Sequence, residues 1–206
     1  HHATLAAEAD MIGMVMTGAG SSMVPTFGAE PRLGTNPIAI AAPAKNEAFV
    51  LFDAATTAIA GNKLRLAARV GADLLPGWIS ELDGTPIMEE TPMRERNQFM
   101  QLPLGGTREM GSHKGYGFAL MAEIVSTMLS GALPAMLSPG SGSKHFFTAY
   151  NIESFTDVEE FKENMDLVLK MLRETKPAPG HDRVLYPGLS EHEMEQERRA
   201  NGIPLH

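Results

Sequence analysis

The sequence contains no cysteine among its 206 residues. This absence excludes disulfide bonds, thiolate metal sites and a cysteine nucleophile. It suits a reducing compartment, and we predict a cytoplasmic location. No apolar run approaches the roughly 20 residues that a membrane-spanning helix needs, so we expect no membrane partner.

Basic residues are also scarce and scattered. Lys and Arg number 17 against 25 Asp and Glu, which gives a formal net charge of -8. No stretch groups basic residues with aromatics, so nucleic acid is not a predicted partner. An acidic protein that handles an anionic substrate must concentrate positive charge locally, at particular Lys or Arg side chains or at helix N-termini.

Several catalytic and ligand-binding motifs are missing. The sequence has no Gly-x-Ser-x-Gly elbow and no His-Glu-x-x-His pattern, and its histidines follow no metal-ligand spacing. We therefore predict no metal site. The string Thr17-Gly-Ala-Gly-Ser-Ser-Met23 follows a strand but lacks a third glycine, and Val24-Pro25 stands where a helix should open. A Rossmann fingerprint is thus excluded.

Periodicity and turn residues predict one mixed α/β domain. In the first half we expect the end of a helix (4–10), strands (11–17, 38–42 and 48–52), a helix (56–70) that Gly71 terminates, and an irregular region (74–111) with a hairpin at Asp83-Gly84. In the second half we expect a helix that Ser112 caps and Gly131 ends, a strand (145–152), a helix capped at Thr156, a short strand (183–186) and a helix capped at Ser190.

Two segments have side chains suited to a nucleotide or an anion. Gly111-Ser-His-Lys-Gly-Tyr-Gly117 heads the clearest helix, whose apolar face is formed by Met121, Ile124, Val125, Met128 and Leu129. Free N–H groups beside the Lys114 ammonium would bind a phosphate or a carboxylate, or the segment is a capped helix whose glycines permit close packing. Asp53 ends a strand, where it could accept hydrogen bonds from ribose hydroxyls or cap the next helix.

Other candidates leave two alternatives open. Thr35 and Asn36, in Gly34-Thr-Asn-Pro37, would either face a ligand or brace the turn. The side chains of Arg94, Arg96 and Arg108 could reach a carboxylate or lie in solvent.

Taken in order, short strings along the whole chain resemble the non-Rossmann malate/L-lactate dehydrogenase family, which includes ureidoglycolate, sulfolactate and diketogulonate enzymes and a cyclic-imine reductase. Each string is weak alone, whereas the ordered set is specific. The main strings are Met14-Val-Met-Thr17, Leu33-Gly-Thr-Asn-Pro-Ile-Ala39, Asp53-Ala-Ala-Thr56, Leu75-Pro-Gly-Trp78, Leu102-Pro-Leu-Gly-Gly106, Lys114-Gly-Tyr-Gly117, Leu129-Ser-Gly-Ala132, Tyr186-Pro-Gly188 and Gly202-Ile-Pro204.

The resemblance implies a non-Rossmann nicotinamide-binding fold of the α/β (α+β) class, with a mixed, largely antiparallel sheet and flanking helices. It implies a homodimer and one cofactor-binding domain over residues 1–206 with a C-terminal helical extension. NAD or NADP would accept or donate a hydride at the 2-carbon of a small 2-hydroxy/2-keto acid. The implied cofactor contacts are Thr17, Gly18, Ala19, Asp53, Ala54, Ala55, Lys114, Gly115, Pro187 and Gly188.

The sequence departs from the family at its beginning. The family's N-terminal helical segment, with a Ser-His-Gly motif and a second functional histidine, would precede His1, so we expect the proton-transferring histidine upstream and assign no catalytic residue here. Gly18 stands where Asn is usual. Two alternatives to a hydroxy-acid dehydrogenase stay open: a non-catalytic relic that binds a nucleotide or dimerises, and a reductase of a cyclic C=N bond.

Overall fold

Helices flank antiparallel strands in the computed structural model, which describes residues 1–204. This arrangement confirms the predicted fold class. The strands are β1 (Met11–Gly18), β2 (Ile38–Ala42), β3 (Val50–Ala54), β4 (Ile79–Ser80), β5 (Met100–Gln101) and β6 (Lys144–Asn151). The α-helices are α1 (His2–Ala7), α2 (Gly61–Val70), α3 (Ser112–Glu123), α4 (Val158–Arg173) and α5 (Leu189–Asn201).

The chain divides into two compact units. The first unit comprises His1–Val15, Ala39–Asp53 and the chain from Phe147 onwards, and the second comprises Met16–Ile38 and Ala54–Phe146. Compactness does not reveal what a unit binds, so the predicted single cofactor-binding domain stays a prediction. The C-terminal His206, one of the histidines considered above, lies outside the described residues.

Small side chains let α1 lie close to the strands of the first unit. Ala3 and Ala7 pack with Ala41 in one buried cluster. Gly13 is required for this approach, because a Cβ there would lie 2.3 Å from the Ala3 carbonyl oxygen. The strand order of the sheet is β3-β2-β1-β6.

Helix α4 anchors a loop through Asp166. This carboxylate accepts hydrogen bonds from the backbone N–H groups of Lys45, Asn46 and Glu47, at 2.9 to 3.1 Å, and from the Asn46 side-chain amide at 2.8 Å. Burial by itself would raise the pKa of Asp166, but these donors together outweigh burial and lower the pKa below its usual value. The ionised form of Asp166 therefore stabilises the loop.

The predicted starts of α2, α4 and α5 are wrong, and one predicted strand is not formed. Helix α2 begins at Gly61 rather than Thr56, because Thr56 is instead buried and hydrogen-bonded to Thr35, and the buried Thr57 forms an isolated β-bridge with Pro103. Asp157, not Thr156, caps α4 by accepting the Glu160 N–H at 2.8 Å. Residues 183–186 form no strand, and α5 follows Gly188 in a left-handed conformation rather than a cap at Ser190. The remaining bounds agree closely; β2 and the stop at Gly71 are confirmed.

The core of the second unit lies beneath the irregular region of the chain. Leu64 of α2 packs with Leu74, Ile79 and Phe99, and the single tryptophan, Trp78, packs against this cluster. The predicted hairpin is confirmed, since the Asp83 carboxylate accepts the Thr85 N–H at 2.9 Å and Gly84 has a φ of +88°.

Helix α3 presents an unexpected face to the interior. Its buried residues include Ala119, Ala122 and Glu123, and Ser126 and Thr127 continue this face in a π-helical turn (Ile124–Met128). The predicted apolar face instead points outward, with Met121, Ile124, Met128 and Leu129 between 46% and 72% exposed. The predicted cap is also wrong, because Ser112 is the first helical residue and its hydroxyl lies 3.0 Å from that of Thr26.

No helix within residues 1–204 is both long enough and apolar enough to cross a membrane.

Candidate functional site

The turn at Thr35–Pro37 joins several of the predicted contact segments of the second unit. The Thr35 carbonyl oxygen accepts the Thr56 N–H at 2.8 Å and the Thr56 hydroxyl at 3.0 Å, directly after Ala54-Ala55. The Pro37 carbonyl oxygen accepts the Thr17 N–H at 3.1 Å. The turn thus fixes the chain on both sides, at Thr17 and at Thr56.

Asn36 is the centre of this turn. Its side chain is fully buried, and its φ of +28° is one that Asn tolerates better than most residues. The side-chain oxygen accepts the Ala19 N–H at 3.1 Å, while the side-chain nitrogen donates to the Ala119 carbonyl at 3.0 Å and to Glu123 Oε2 at 2.8 Å. Asn36 therefore braces the turn, which is one of the two alternatives drawn from the sequence.

Glycine at positions 18 and 34 allows the Thr17–Ala19 segment to pack closely against the residues around it. A Cβ on Gly18 would lie 2.3 Å from Thr127 Oγ1 and 3.1 Å from both Glu123 Oε2 and Ser126 Oγ. On the other side, a Cβ on Gly34 would lie 1.5 Å from the Ala19 carbonyl oxygen. Chain packing alone accounts for glycine at position 18, so its predicted contact with a cofactor stays a prediction.

Lys114 and Gly115 lie at the start of α3. The Lys114 side chain is exposed and forms no ion pair with any residue in the range 1–204. Gly115 is buried, and a Cβ there would lie 2.4 Å from the Leu104 carbonyl oxygen; Leu104 in turn donates its N–H to the Thr56 carbonyl at 2.9 Å. Close packing thus explains Gly115, whereas the Lys114 ammonium is available to an anionic ligand.

In the first unit, Asp53, Pro187 and Gly188 lie on or beside β3. The Pro187 carbonyl oxygen accepts the Leu51 N–H at 3.0 Å, and a Cβ on Gly188 would lie 2.7 Å from that same nitrogen. The Asp53 carboxylate is exposed and has no hydrogen-bond partner among residues 1–204. The capping alternative for Asp53 is wrong, because α2 begins eight residues later, at Gly61.

A cavity of about 370 Å³ opens beside the first turn of α3. Its lining includes the hydroxyls of Thr26 and Ser112 together with Arg108 and Glu109. Arg108 also lies 2.9 Å from Nδ1 of His113. Hydrogen bonds from the Glu109 backbone amide and the Thr107 hydroxyl lower the pKa of Glu109, so the wall carries both a guanidinium and a carboxylate.

Sequence reasoning did not single out Glu123 or the contact between Thr17 and His145. Thr17 Oγ1 lies 2.9 Å from His145 Nδ1 although the residues are 128 positions apart, a separation at which no local pattern gives a signal. Glu123 had a visible signal, because it is the only charged residue between Gly115 and Ser143. Within residues 1–204, no three His, Asp or Glu side chains are grouped so that they could hold a metal ion.

Comparison with known proteins relates the whole chain to one family. The family model for malate/L-lactate dehydrogenase matches residues 1–206. A malate dehydrogenase from Pyrococcus horikoshii is 37% identical over 214 residues, which cover 100% of this chain and 58% of the relative. The chain therefore spans somewhat more than half the length of this relative.

Solved structures show the same relationship. The crystal structure of malate dehydrogenase from Entamoeba histolytica superposes with a TM-score of 0.89 at 37% identity, over 98% of this chain and 60% of that one. A delta1-piperideine-2-carboxylate reductase from Pseudomonas syringae superposes with a TM-score of 0.79 at 25% identity, over 99% and 59% of the two chains. By sequence and by fold, the chain belongs to the malate/L-lactate dehydrogenase family.

Proposed function

We propose that this protein is an oxidoreductase that transfers a hydride between NAD or NADP and the 2-carbon of a small 2-hydroxy/2-keto acid. Membership of the malate/L-lactate dehydrogenase family supports this reaction. The observation that carries the proposal is the Thr35–Pro37 turn, which fixes the chain at Thr17 and at Thr56, next to two of the segments that the family resemblance assigns to the cofactor.

The chemistry of the available side chains fits a dinucleotide. The Lys114 ammonium, exposed at the N-terminal turn of α3, would neutralise a phosphate. The exposed Asp53 carboxylate would accept hydrogen bonds from ribose hydroxyls. A Cβ on Gly20, next to Ala19, would meet open space, so that backbone is accessible. Bound nicotinamide would supply the hydride acceptor or donor.

The remaining contacts are proposed from the resemblance. The backbone at Thr17, Gly18 and Ala19, together with Ala54, Ala55 and Gly115, would line the cofactor in the second unit. Pro187 and Gly188, which belong to the first unit, are proposed as cofactor contacts from the resemblance alone. Both NAD and NADP remain candidates. We also propose a cytoplasmic location, which the cysteine-free sequence suits.

Cofactor binding is tested by titrating the 206-residue chain with NADH and NADPH while recording the fluorescence of Trp78, its single tryptophan. We expect binding to quench this emission through energy transfer to the reduced nicotinamide. The Lys114→Ala variant should bind about tenfold more weakly or worse, because a charge-assisted contact is worth about 1.5–3 kcal/mol.

Lys63→Ala is the matched control, since Lys63 is another exposed lysine of the second unit that forms no ion pair with a described residue. It should leave the affinity unchanged. Equal affinity of Lys114→Ala and wild type would remove Lys114 from the site, and the absence of any binding by wild type would contradict the proposed function.

Substrate class is tested by following the oxidation of the reduced cofactor with pyruvate, oxaloacetate and a cyclic imine acid. Turnover of a keto acid supports the dehydrogenase. Preference for the imine supports the second candidate, reduction of a C=N bond, which the structural likeness to the piperideine-carboxylate reductase favours. Binding without turnover of any of the three corresponds to the non-catalytic alternative.

We further propose that the protein forms a homodimer through the outward apolar face of α3 and the following π-helical turn. Met121, Ile124, Met128 and Leu129 form this face, and each is at least 46% exposed. Each copy carries a net charge of -8, so association is least opposed where the surface is uncharged. Contiguous exposed apolar residues of this kind are typical of interaction surfaces.

A further inference from the structure

Glu123 is a charged side chain in the interior of the second unit. It is the last residue of α3 and is only 3% exposed, and no other Asp, Glu, Lys or Arg within residues 1–204 is buried to this degree. A buried carboxylate is destabilising by several kcal/mol unless it is hydrogen-bonded. Its hydrogen-bond partners therefore indicate the role of the buried Glu123 carboxylate.

The carboxylate fixes the orientation of the Asn36 amide. Glu123 Oε2 and the Ala119 carbonyl oxygen both accept hydrogen bonds from the NH₂ group of Asn36, at 2.8 and 3.0 Å, and a carbonyl oxygen can only accept. The oxygen of Asn36 must then face the Ala19 N–H, which it accepts at 3.1 Å. A flipped amide would lose all three hydrogen bonds at once.

The Glu123 carboxylate also lies close to Gly18. A Cβ added to Gly18 would lie 3.1 Å from Glu123 Oε2, and Gly34 packs against the neighbouring Ala19 carbonyl. Glu123 therefore lies beside Gly18 and is linked to Ala19 by hydrogen bonds through Asn36.

We propose that Glu123 is a positioning residue for nucleotide binding, acting through Asn36 on the Thr17–Ala19 segment. This inference rests on the proposed function, which assigns that segment to the cofactor. Glu123 itself is too buried to touch a ligand. By orienting Asn36, which accepts the Ala19 N–H, Glu123 keeps the segment in one conformation before binding, so that the ligand does not bear the entropic cost of ordering it.

The test uses three variants of the full chain. Glu123→Leu removes the hydrogen-bond acceptor, whereas Glu123→Gln keeps an oxygen that can accept from Asn36. Ser126→Ala changes the same buried face at a hydroxyl that is as near to Gly18 as Glu123 Oε2 but donates to the Ala122 carbonyl, so this control isolates the link through Asn36. Two quantities are measured: the hydrogen-exchange rate of the Ala19 amide, and the dissociation constant for NADH from Trp78 fluorescence.

In Glu123→Leu we expect Ala19 to exchange at least about tenfold faster and NADH to bind about tenfold more weakly, equivalent to about 1.4 kcal/mol in each case. Glu123→Gln should stay within about threefold of wild type in both quantities, and Ser126→Ala should change neither. A residue that only stabilised the helix would give Ser126→Ala and Glu123→Leu the same pattern.

Unchanged exchange at Ala19 in folded Glu123→Leu overturns the proposal, and so does loss of protection in Glu123→Gln. If Glu123→Leu does not fold, Asn36→Gly, which tolerates the positive φ, tests the same link at Ala19. The two proposals fail differently. Faster exchange in the variant, with no NADH binding by wild type, keeps Glu123 as the anchor of the segment but contradicts the proposed function.

Discussion

Gly18 provides a quantitative test of how the Thr17–Ala19 segment is held. A Cβ in Gly18→Ala would lie 2.3 Å from Thr127 Oγ1, well inside any normal contact. Thr127 is β-branched and helical, so its χ1 angle is restricted and it cannot easily move aside. Overpacking of this kind costs about 1–3 kcal/mol. We therefore expect a melting temperature lower by roughly 2–4 °C for each kcal/mol.

Thr127→Ala should relieve the clash. Thr127 Oγ1 is buried and has no hydrogen-bond partner among residues 1–204, so its removal breaks no hydrogen bond there. In a double-mutant cycle measured by urea unfolding, the two substitutions should couple by about 1 kcal/mol or more, with the double variant more stable than Gly18→Ala alone. Gly61→Ala is the control, because a Cβ there lies within 4 Å of no atom in the described part of the chain. Strict additivity of the two effects would refute the close packing of Gly18 against Thr127.

Three further predictions concern stability and association. Asp166→Asn should lower the free energy of unfolding by about 1–2 kcal/mol at neutral pH, since hydrogen bonds to a partly solvated carboxylate are lost. Because the pKa of Asp166 is lowered in the folded state, the difference from wild type should persist above the unfolded pKa and vanish as pH falls through the folded pKa. A difference independent of pH in urea titrations would contradict this. Gly188→Ala should be more destabilising than Gly202→Ala in thermal unfolding, because both have a φ near +90° but, among residues 1–204, only the first Cβ meets backbone, at 2.7 Å from the Leu51 nitrogen. Equal losses would contradict the contact. Met128→Lys should convert a dimer to a monomer in sedimentation experiments without lowering the melting temperature of the monomer, whereas a dimer that persists would exclude this face.

Local patterns predicted most of the elements, for identifiable reasons. The apolar run of β2 is bounded by Pro37 and Pro43, and Gly71 ends α2 with a φ of +69°, which few other residues adopt easily. Thr56 and Thr57 were assigned to a helix because their long-range partners lie in distant segments that no local window includes. Thr56 is hydrogen-bonded to Thr35 and Leu104, and Thr57 forms an isolated β-bridge with Pro103.

Helix α3 shows why a periodic pattern can predict a helix and still misplace its buried face. The spacing of Met121, Ile124 and Met128 identified the helix, but periodicity detects a contrast between faces and not which face is covered. The small side chains of Ala119 and Ala122 allow close approach on the opposite side, where both are fully buried.

The candidate site was predicted in part. The resemblance supplied its segments, and the sequence alone indicated that the glycines matter, but not that Gly18, Gly115 and Gly188 each face another part of the chain. The hydrogen bond between Asn36 and Glu123 joins residues 87 positions apart, so no motif could reveal it. Only the folded chain shows what each glycine approaches.

The central claim is that the second unit binds a nicotinamide nucleotide along the segments fixed around the Thr35–Pro37 turn. It is tested most directly by titrating the isotope-labelled chain with NADH and following its backbone amide resonances. We predict saturable shifts at Thr17–Ala19, Ala54–Ala55 and Lys114–Gly115, with little change at Gly71 on the far end of α2. Saturable binding that shifts other residues and leaves these segments unchanged, or no binding at all, would contradict the claim.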